Sequence, residues 1–218
     1  MSHLRDRDQD TVCATSTPPG VGGISVVRLS GPESISIVRK NCDFIPEKPE
    51  SHKAYYGFFK SQDEKHTESI DEVVVTFFQR GRSFTGEDTF EISCHGSPVI
   101  VAEVLNELVV SGARLADRGE FTYRAFMNGR LDLVQAESVL SLIESQSKQS
   151  SRQALRQLKG KLSSELEKIE SEIIWCMAHL EAGIDFSTEG LELVATEEMV
   201  LRTHQVSHSL GKLVESFK

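Results

Sequence analysis

The order of apolar and polar residues divides the chain into a strand-rich first half and a helical second half. Short runs of β-branched and aromatic residues, bounded by Gly, Pro or polar residues, are typical of strands. They predict the strands Thr11–Ala14, Gly23–Leu29, Lys53–Lys60, Ile70–Gln79 and Thr89–Cys94. Apolar residues at helical spacing predict two helices in this half, Ser34–Asn41 and Pro98–Ser111, and Gly112 is expected to end the second. The polar segments Ser61–Ser69 and Arg80–Asp88 are expected to be loops.

After Gly119 strand signals almost disappear. Apolar residues recur at helical spacing from Leu133 to Glu181, which predicts one very long helix or two in succession, with Gly160 as a weak point. The segment Ala182–Phe186 is expected to break this helix, and Thr196 to open a last one. The fold class is therefore α+β, with a mixed α/β domain over residues 1–119 and long helices over residues 120–218.

The predicted last helix is still apolar on one side where the sequence stops at Lys218. Helices of this length leave a wide apolar stripe that one chain does not bury. We therefore expect a missing C-terminal portion or a partner subunit to cover it. A helix that frays at a natural terminus is the alternative.

Composition and charge exclude several classes of protein. The 218 residues are 39% apolar and 26% charged, as in ordinary globular proteins, and no apolar run is long enough to cross a membrane. No secretory signal is visible, and the four cysteines are far apart without a CxxC pair, which favours free thiols in the cytoplasm. The net charge of −9 argues against a general nucleic-acid-binding protein.

One local exception to this acidic balance is a run of basic residues at Lys148, Arg152, Arg156, Lys159 and Lys161. Arg152, Arg156 and Lys159 follow the i, i+4, i+7 spacing of one helix face. Two interpretations remain open, a solvated helix face or a docking surface for an acidic partner such as RNA.

Most signatures of catalysis are missing from the sequence. There is no HExxH and no paired Cys/His spacing, so no metal site is predicted. Cys94 and His95 are neighbours on a predicted strand and would point to opposite faces, which argues against a nucleophile–base pair. The Gly20–Gly23 turn lacks the Gly-Lys-Ser/Thr of a phosphate loop and precedes a strand.

Three charged residues have unusual neighbours. Arg28 and Glu91 each lie inside an apolar strand, and Arg130 lies near the junction of the two halves. Glu91 either faces solvent on an alternating strand or faces a pocket. In a pocket its carboxylate is able to accept two N–H bonds from an amidine-like ring edge, such as the pyrimidine half of a pterin. Guanidinium groups nearby would suit carboxylates.

Three blocks of sequence are distinctive together. They cover Thr17–Gly31 with its Thr-Pro-Pro-Gly turn, Ser83–Gly96 with Ser-Phe-Thr-Gly-Glu-Asp, and Gly119–Glu137 with Asn-Gly-Arg-Leu-Asp-Leu. Their order and spacing resemble the N-terminal part of the MnmE (TrmE) family of tRNA-modification GTPases. The Ala-Gly-Ile-Asp-Phe segment at Ala182–Phe186 continues the resemblance into that family's helical domain, so it covers nearly the whole chain.

The resemblance implies an N-terminal α/β domain like the folate-binding domain of aminomethyltransferases, which dimerises and binds 5-formyltetrahydrofolate or a related one-carbon folate. It implies a helical domain interrupted by a Ras-like G domain, with GTP, Mg²⁺ and K⁺ as further cofactors of the full-length enzyme. The implied activity is modification of the wobble uridine of certain tRNAs at position 5, with a carboxymethylaminomethyl or aminomethyl group. The implied partners are a second copy, the flavoprotein MnmG (GidA) and tRNA, with no membrane.

Carried over by motif, the implied folate-binding residues are Arg28, Glu91 and Arg130. Arg130 stands where the family usually has Lys, and Val21 stands where Arg is commoner, so a basic contact is lost there. No GxxxxGK[ST] occurs, so the chain is expected to be a fragment without the GTPase domain and without catalytic residues of its own.

Two alternatives to this function stay open from the sequence. One is a stand-alone folate-dependent one-carbon transferase, which leaves the long helices unexplained. The other is a ligand-free dimerisation module in which Arg28 and Glu91 form an internal ion pair.

Overall fold

The structure is a computed structural model that describes residues 10–62, 69–185 and 196–216. The chain forms two compact units, residues 1–136 and residues 137–218. A mixed sheet with helices occupies the first unit, and long helices occupy the second. The α+β class predicted from the sequence is confirmed.

The first unit is built on a six-stranded sheet with the strand order β3-β4-β5-β2-β1-β6. The strands are β1 (Val12–Thr15), β2 (Gly22–Ser30), β3 (Lys53–Lys60), β4 (Ser69–Phe78), β5 (Thr89–Gly96) and β6 (Arg114–Leu115). All neighbouring strands are antiparallel except the short β6, which pairs parallel with β1. The central β2 and β5 therefore exchange hydrogen bonds on both sides.

Helices cover one face of this sheet. They are α1 (Ser34–Asn41) and α2 (Pro98–Val110), and α3 (Glu120–Met127) follows β6. Alternate strand residues such as Val27, Val75 and Ile92 are fully buried and form one core with Val38 of α1 and Val104 of α2. Period-two alternation in the strands and helical spacing in α1 and α2 thus bury the same core from two sides.

The other face of the sheet is open over β3 and β4. Tyr56, Phe58 and Val74 lie there with 65%, 49% and 40% of their surface exposed. Arg28 and Glu91 belong to the same face, because their sequence neighbours Val27 and Ile92 point into the core. The open face is therefore the sheet surface on which Arg28 and Glu91, two of the three implied site residues, lie.

The five predicted strands and two predicted helices of the first half are confirmed, with ends that differ by one or two residues at most. Neither β6 nor the separate helix α3 was predicted from the sequence. Most of the predicted loop Ser61–Ser69, residues 63–68, lies outside the described residues.

The helical half contains more breaks than the sequence suggested. The prediction of one or two helices from Leu133 to Glu181 is wrong, because three occur there: α4 (Leu133–Ile143), α5 (Lys148–Leu158) and α6 (Lys161–Asp185). Gly160 does separate α5 from α6, with a φ of +76°. The additional break precedes α5, where the Ser147 hydroxyl accepts a hydrogen bond of 3.1 Å from the Ser150 N–H and caps the helix.

The C-terminal end of α6 also differs from the prediction. The helix continues through Ala182 and Gly183 to Asp185, so a break within 182–185 is wrong, and residues 186–195 lie outside the described residues. The last helix, α7 (Thr196–Ser216), begins where it was predicted. Arg202 of α7 joins α6, since its guanidinium carbon lies 3.9 Å from the centre of the Trp175 ring and Nη1 donates to Glu172.

All four cysteines are free thiols, in agreement with the sequence analysis. Burial raises the pKa of Cys13 to about 11 and, with the nearby Asp43 charge adding to the effect, the pKa of Cys42 to about 12. Both groups are therefore protonated and unreactive at neutral pH. Among the helices of the described residues, none combines the length and the apolar character needed to cross a membrane.

Candidate functional site

The sheet register brings two of the three implied site residues together. Arg28 of β2 and Glu91 of β5 are direct cross-strand partners, although they are 63 residues apart in the sequence. Nε and Nη2 of Arg28 both donate to Oε1 of Glu91, at 3.1 Å and 2.7 Å. The side chains are 21% and 31% exposed, so the ion pair is accessible from the open face of the sheet.

Arg28 occupies only one of the two oxygens of the Glu91 carboxylate. Both hydrogen bonds from Arg28 reach Oε1, and Oε2 accepts none from the described residues. A carboxylate offers about four acceptor positions on its two oxygens. Glu91 therefore retains an oxygen that a ligand N–H can reach.

Two aromatic rings border the Arg28 guanidinium. Its carbon lies 5.4 Å from the centre of the Phe84 ring and 5.3 Å from that of Phe121, within the range of cation–π attraction. Phe84 belongs to the loop before β5, and Phe121 to the first turn of α3. Both residues lie inside the distinctive sequence blocks, but neither was predicted to belong to the site.

The loop of residues 80–88 is the point where the three distinctive sequence blocks meet. Ser30, from the first block, donates from its hydroxyl to Oε2 of Glu87 at 2.7 Å. Asn128, from the third block, donates from Nδ2 to the Thr85 carbonyl at 2.8 Å. Arg124 of the third block lies 3.1 Å from Glu87. These contacts hold Phe84 in place beside Arg28.

Arg124 anchors α3 from within the protein, since only 2% of its surface is exposed. It donates to Glu120 and to Asp10, and Arg114 donates to the same two carboxylates. Burial raises the pKa of Glu120, but hydrogen bonds from Arg114, the Asp117 N–H and Arg124 outweigh it and lower the value to about 2. Hydrogen bonds from the two arginines similarly lower the pKa of Asp10 against the effect of burial.

Arg130, the third implied site residue, forms no hydrogen bond or ion pair with Arg28 or Glu91. It follows α3, is exposed, and forms no ion pair with any residue that the structure describes. Its Cγ lies 3.1 Å from the position that a Cβ on Gly86 would occupy. The structure therefore brings Arg28 and Glu91 into contact, and it places the Arg130 stem against the loop that also carries Phe84.

Cys94 and His95 do not form a catalytic pair. Cys94 is 2% exposed, whereas His95 is exposed and its Nδ1 lies 2.7 Å from Oδ1 of Asp71. The two side chains point to opposite sides of β5, as predicted. In the described parts of the chain, no cluster of three or more His, Cys, Asp or Glu residues is arranged to hold a metal ion.

Comparison with known proteins matches both units to one family. The family model "GTP-binding protein TrmE N-terminus" matches residues 11–130, and "MnmE helical domain" matches residues 133–218. A tRNA modification GTPase MnmE from Bdellovibrio bacteriovorus is 60% identical over 98% of this chain and 44% of its own length. Proteins of the same name from Koribacter versatilis and Thermus thermophilus are 43% and 42% identical over 95% and 88% of the chain.

The chain spans less than half the length of these curated relatives, 44% to 46% in the three cases. The matches nevertheless extend over both units, and they include the parts of the three sequence blocks that meet at the 80–88 loop. The chain belongs to the MnmE (TrmE) family of tRNA modification GTPases.

Proposed function

We propose that this chain is the N-terminal portion of a GTPase that modifies position 5 of the wobble uridine in certain tRNAs, together with the flavoprotein MnmG (GidA). In this proposal GTP, Mg²⁺ and K⁺ serve the activity of the full-length protein in the cytoplasm. Family membership and the name of the relatives, tRNA modification GTPase, support the general activity. The part assigned to the first unit is binding of a reduced folate, such as 5-formyltetrahydrofolate.

The observation that carries the folate proposal is the available Oε2 of Glu91 beside Arg28. The pyrimidine edge of a pterin presents two adjacent N–H donors, which suit a carboxylate. Oε2 takes one donor, and Oε1 takes the other when Arg28 releases one of its two bonds to that oxygen. Arg28 and Arg130 then offer their guanidinium groups to the carbonyl or carboxylate groups of the folate.

The ligand-free alternative has an observation in its favour. The ligand-free alternative predicts an internal ion pair between Arg28 and Glu91, and the structure contains that pair. The pair alone therefore does not distinguish a folate site from a structural contact. A partly exposed ion pair contributes little to stability, about 0–1 kcal/mol, so a large loss of folate affinity on its removal identifies a ligand contact.

Calorimetric titration of 5-formyltetrahydrofolate into the Glu91→Ala variant tests the assignment. We expect binding to weaken by about 2–4 kcal/mol, because a charge-assisted contact to the ligand is lost. Glu103→Ala is the matched control, since Glu103 is an exposed carboxylate on α2 without a described ion-pair partner. Equal affinity in the wild-type chain and in Glu91→Ala contradicts the folate site and leaves the ligand-free alternative.

We also propose that the first unit forms a homodimer through the open face of its sheet. Tyr56, Phe58 and Val74 expose apolar surface side by side, because Tyr56 and Val74 are cross-strand partners. Clustered apolar surface of this kind commonly marks a protein–protein contact. A two-fold dimer would bury this patch of β3 and β4 in both copies, and Arg28 and Glu91 lie beside the patch on β2 and β5.

A further inference from the structure

The three helices α5, α6 and α7 of the second unit surround a groove with a volume of about 1060 Å³. Six basic residues line it, and Glu165 is the one acidic residue among the lining residues. The basic residues are Lys148, Arg152 and Arg156 of α5, Lys161 and Lys168 of α6, and Lys212 of α7. The groove therefore concentrates positive charge in a chain whose net charge is −9.

None of these six basic side chains forms an ion pair with another described residue, and all six are exposed. Elsewhere in the same helices positive charge is neutralised, since Arg202 of α7 pairs with Glu172 and with Glu198. The groove cations are thus available to a partner. Their mutual repulsion is relieved when an anion enters.

The arrangement of the cations is regular along one side of the groove. Lys148, Arg152 and Arg156 are four residues apart, so successive side chains on α5 are separated by about 6 Å along the helix. This row matches the repeating charges of a phosphate backbone. Lys159, which the sequence pattern grouped with Arg152 and Arg156, is not among the residues that line the groove.

We propose that this groove binds the phosphate backbone of a double-helical segment of RNA. The lining residues include no aromatic side chain, so the groove offers no surface on which unpaired bases could stack. Gln149, Gln153 and Gln157 lie among the cations and supply amide groups that hydrogen-bond to phosphate or 2′-hydroxyl oxygens. The inference rests on the proposed action on tRNA, but it does not depend on the folate site, which lies in the other unit.

Recognition of this kind is insensitive to base sequence and sensitive to salt. Each phosphate contact made by a Lys or Arg releases a counterion, and so adds to the slope of log affinity against log salt concentration. The experiment measures this slope by fluorescence anisotropy, with the 218-residue chain and a labelled RNA hairpin. A second hairpin of different sequence and a labelled poly-glutamate peptide are titrated in parallel.

The test variant is Arg152→Gln with Arg156→Gln, which keeps good helix formers on α5. We expect at least a tenfold loss of affinity for both hairpins and a salt slope that is smaller by about 2, one for each lost contact. The matched control is Lys48→Gln with Arg118→Gln, which removes the same charge from two exposed cations of the first unit. Far-ultraviolet circular dichroism verifies that the helices of each variant are retained.

Three outcomes overturn the proposal. The first is absence of salt-dependent RNA binding by the wild-type chain. The second is an equal loss of affinity in the control variant, which assigns the effect to net charge. The third is tighter binding of the poly-glutamate peptide than of RNA with loss in the groove variant, which assigns the groove to an acidic protein. Folate affinity measured on the same samples keeps this result separate from the folate proposal.

Discussion

Gly86 allows the 80–88 loop to approach the segment that carries Arg130. Its φ of +81° lies in the left-handed region, where glycine is unstrained. A Cβ at this position would lie 3.0 Å from the Cβ of Asn128 and 3.1 Å from the Cγ of Arg130. Because Gly86 has no Cβ, Asn128 can approach the loop and donate to the Thr85 carbonyl. This contact keeps Phe84 beside Arg28.

Gly86→Ala is expected to destabilise the first unit more than Gly81→Ala. Gly81 has a similar φ of +78° in the same loop, but a Cβ there would meet nothing within 4 Å. The Gly81 variant isolates the cost of the backbone conformation, about 1–2 kcal/mol, and the Gly86 variant adds the displacement of Asn128 and Arg130. Urea unfolding measures both free energies, and equal losses in the two variants would show that the close approach has no energetic weight.

The site was partly predictable at this scale. Arg28 and Glu91 stand out in the sequence because each interrupts an apolar strand. Their ion pair depends on the register between β2 and β5, which joins residues 63 apart and is fixed by the whole sheet. Phe84 and Phe121 were missed, because a loop and a helix turn reach Arg28 only through contacts that no local pattern contains.

At the scale of elements, strands with one buried face were predicted well because period-two alternation is a local signal. The helical half was predicted less well. The break before α5 depends on Ser147, whose capping hydrogen bond competes with continuation of the helix. At Gly183 the error was the opposite one, because a helix break was predicted there and α6 continues to Asp185. A long helix tolerates one glycine at a modest cost in stability. Single polar or glycine residues thus indicate a boundary only together with their tertiary surroundings.

The attachment of α3 is expected to weaken in acid. The pKa of Glu120 is about 2 in the folded chain against an ordinary value of 4.5, so its ionised form is stabilised by folding. Its contribution is complete above the ordinary value and is lost as pH falls from about 4.5 toward 2. A shift of this size corresponds to roughly 3 kcal/mol.

The Glu120→Gln variant is expected to remove most of this pH dependence. Denaturant unfolding of the first unit between neutral and acid pH should show a flatter decline of stability below pH 4.5 in the variant than in the wild-type chain. Glu103→Gln is the control, because Glu103 is exposed on α2 and has no described ion-pair partner. Parallel acid curves for the wild type and Glu120→Gln would contradict the role assigned to the Arg114 and Arg124 hydrogen bonds.

At the scale of the whole molecule, the two units offer different surfaces. The first presents apolar side chains on an open sheet face, and the second presents unpaired cations in a groove. Apolar clusters favour protein contacts, whereas rows of cations favour phosphates. The net charge of −9 conceals this separation, which is why composition alone argued against nucleic-acid binding.

The open sheet face gives the last prediction, which concerns assembly. Val74→Lys places a charge beside Tyr56 at the centre of the proposed dimer contact, where burial of an unpaired ammonium group is costly. We expect the dissociation constant of the dimer to rise at least tenfold, about 1.4 kcal/mol. Sedimentation equilibrium distinguishes the 24.3 kDa chain from its dimer.

Val110→Lys provides a matched control for this experiment. Val110 ends α2, is 65% exposed, and lies away from the open face because α2 covers the opposite side of the sheet. The same change of side chain there should leave the dimer intact. A monomeric wild-type chain contradicts the proposed dimer. Equal dissociation of both variants contradicts a contact through the open face, because a lysine on that face would then weaken the dimer no more than a lysine elsewhere.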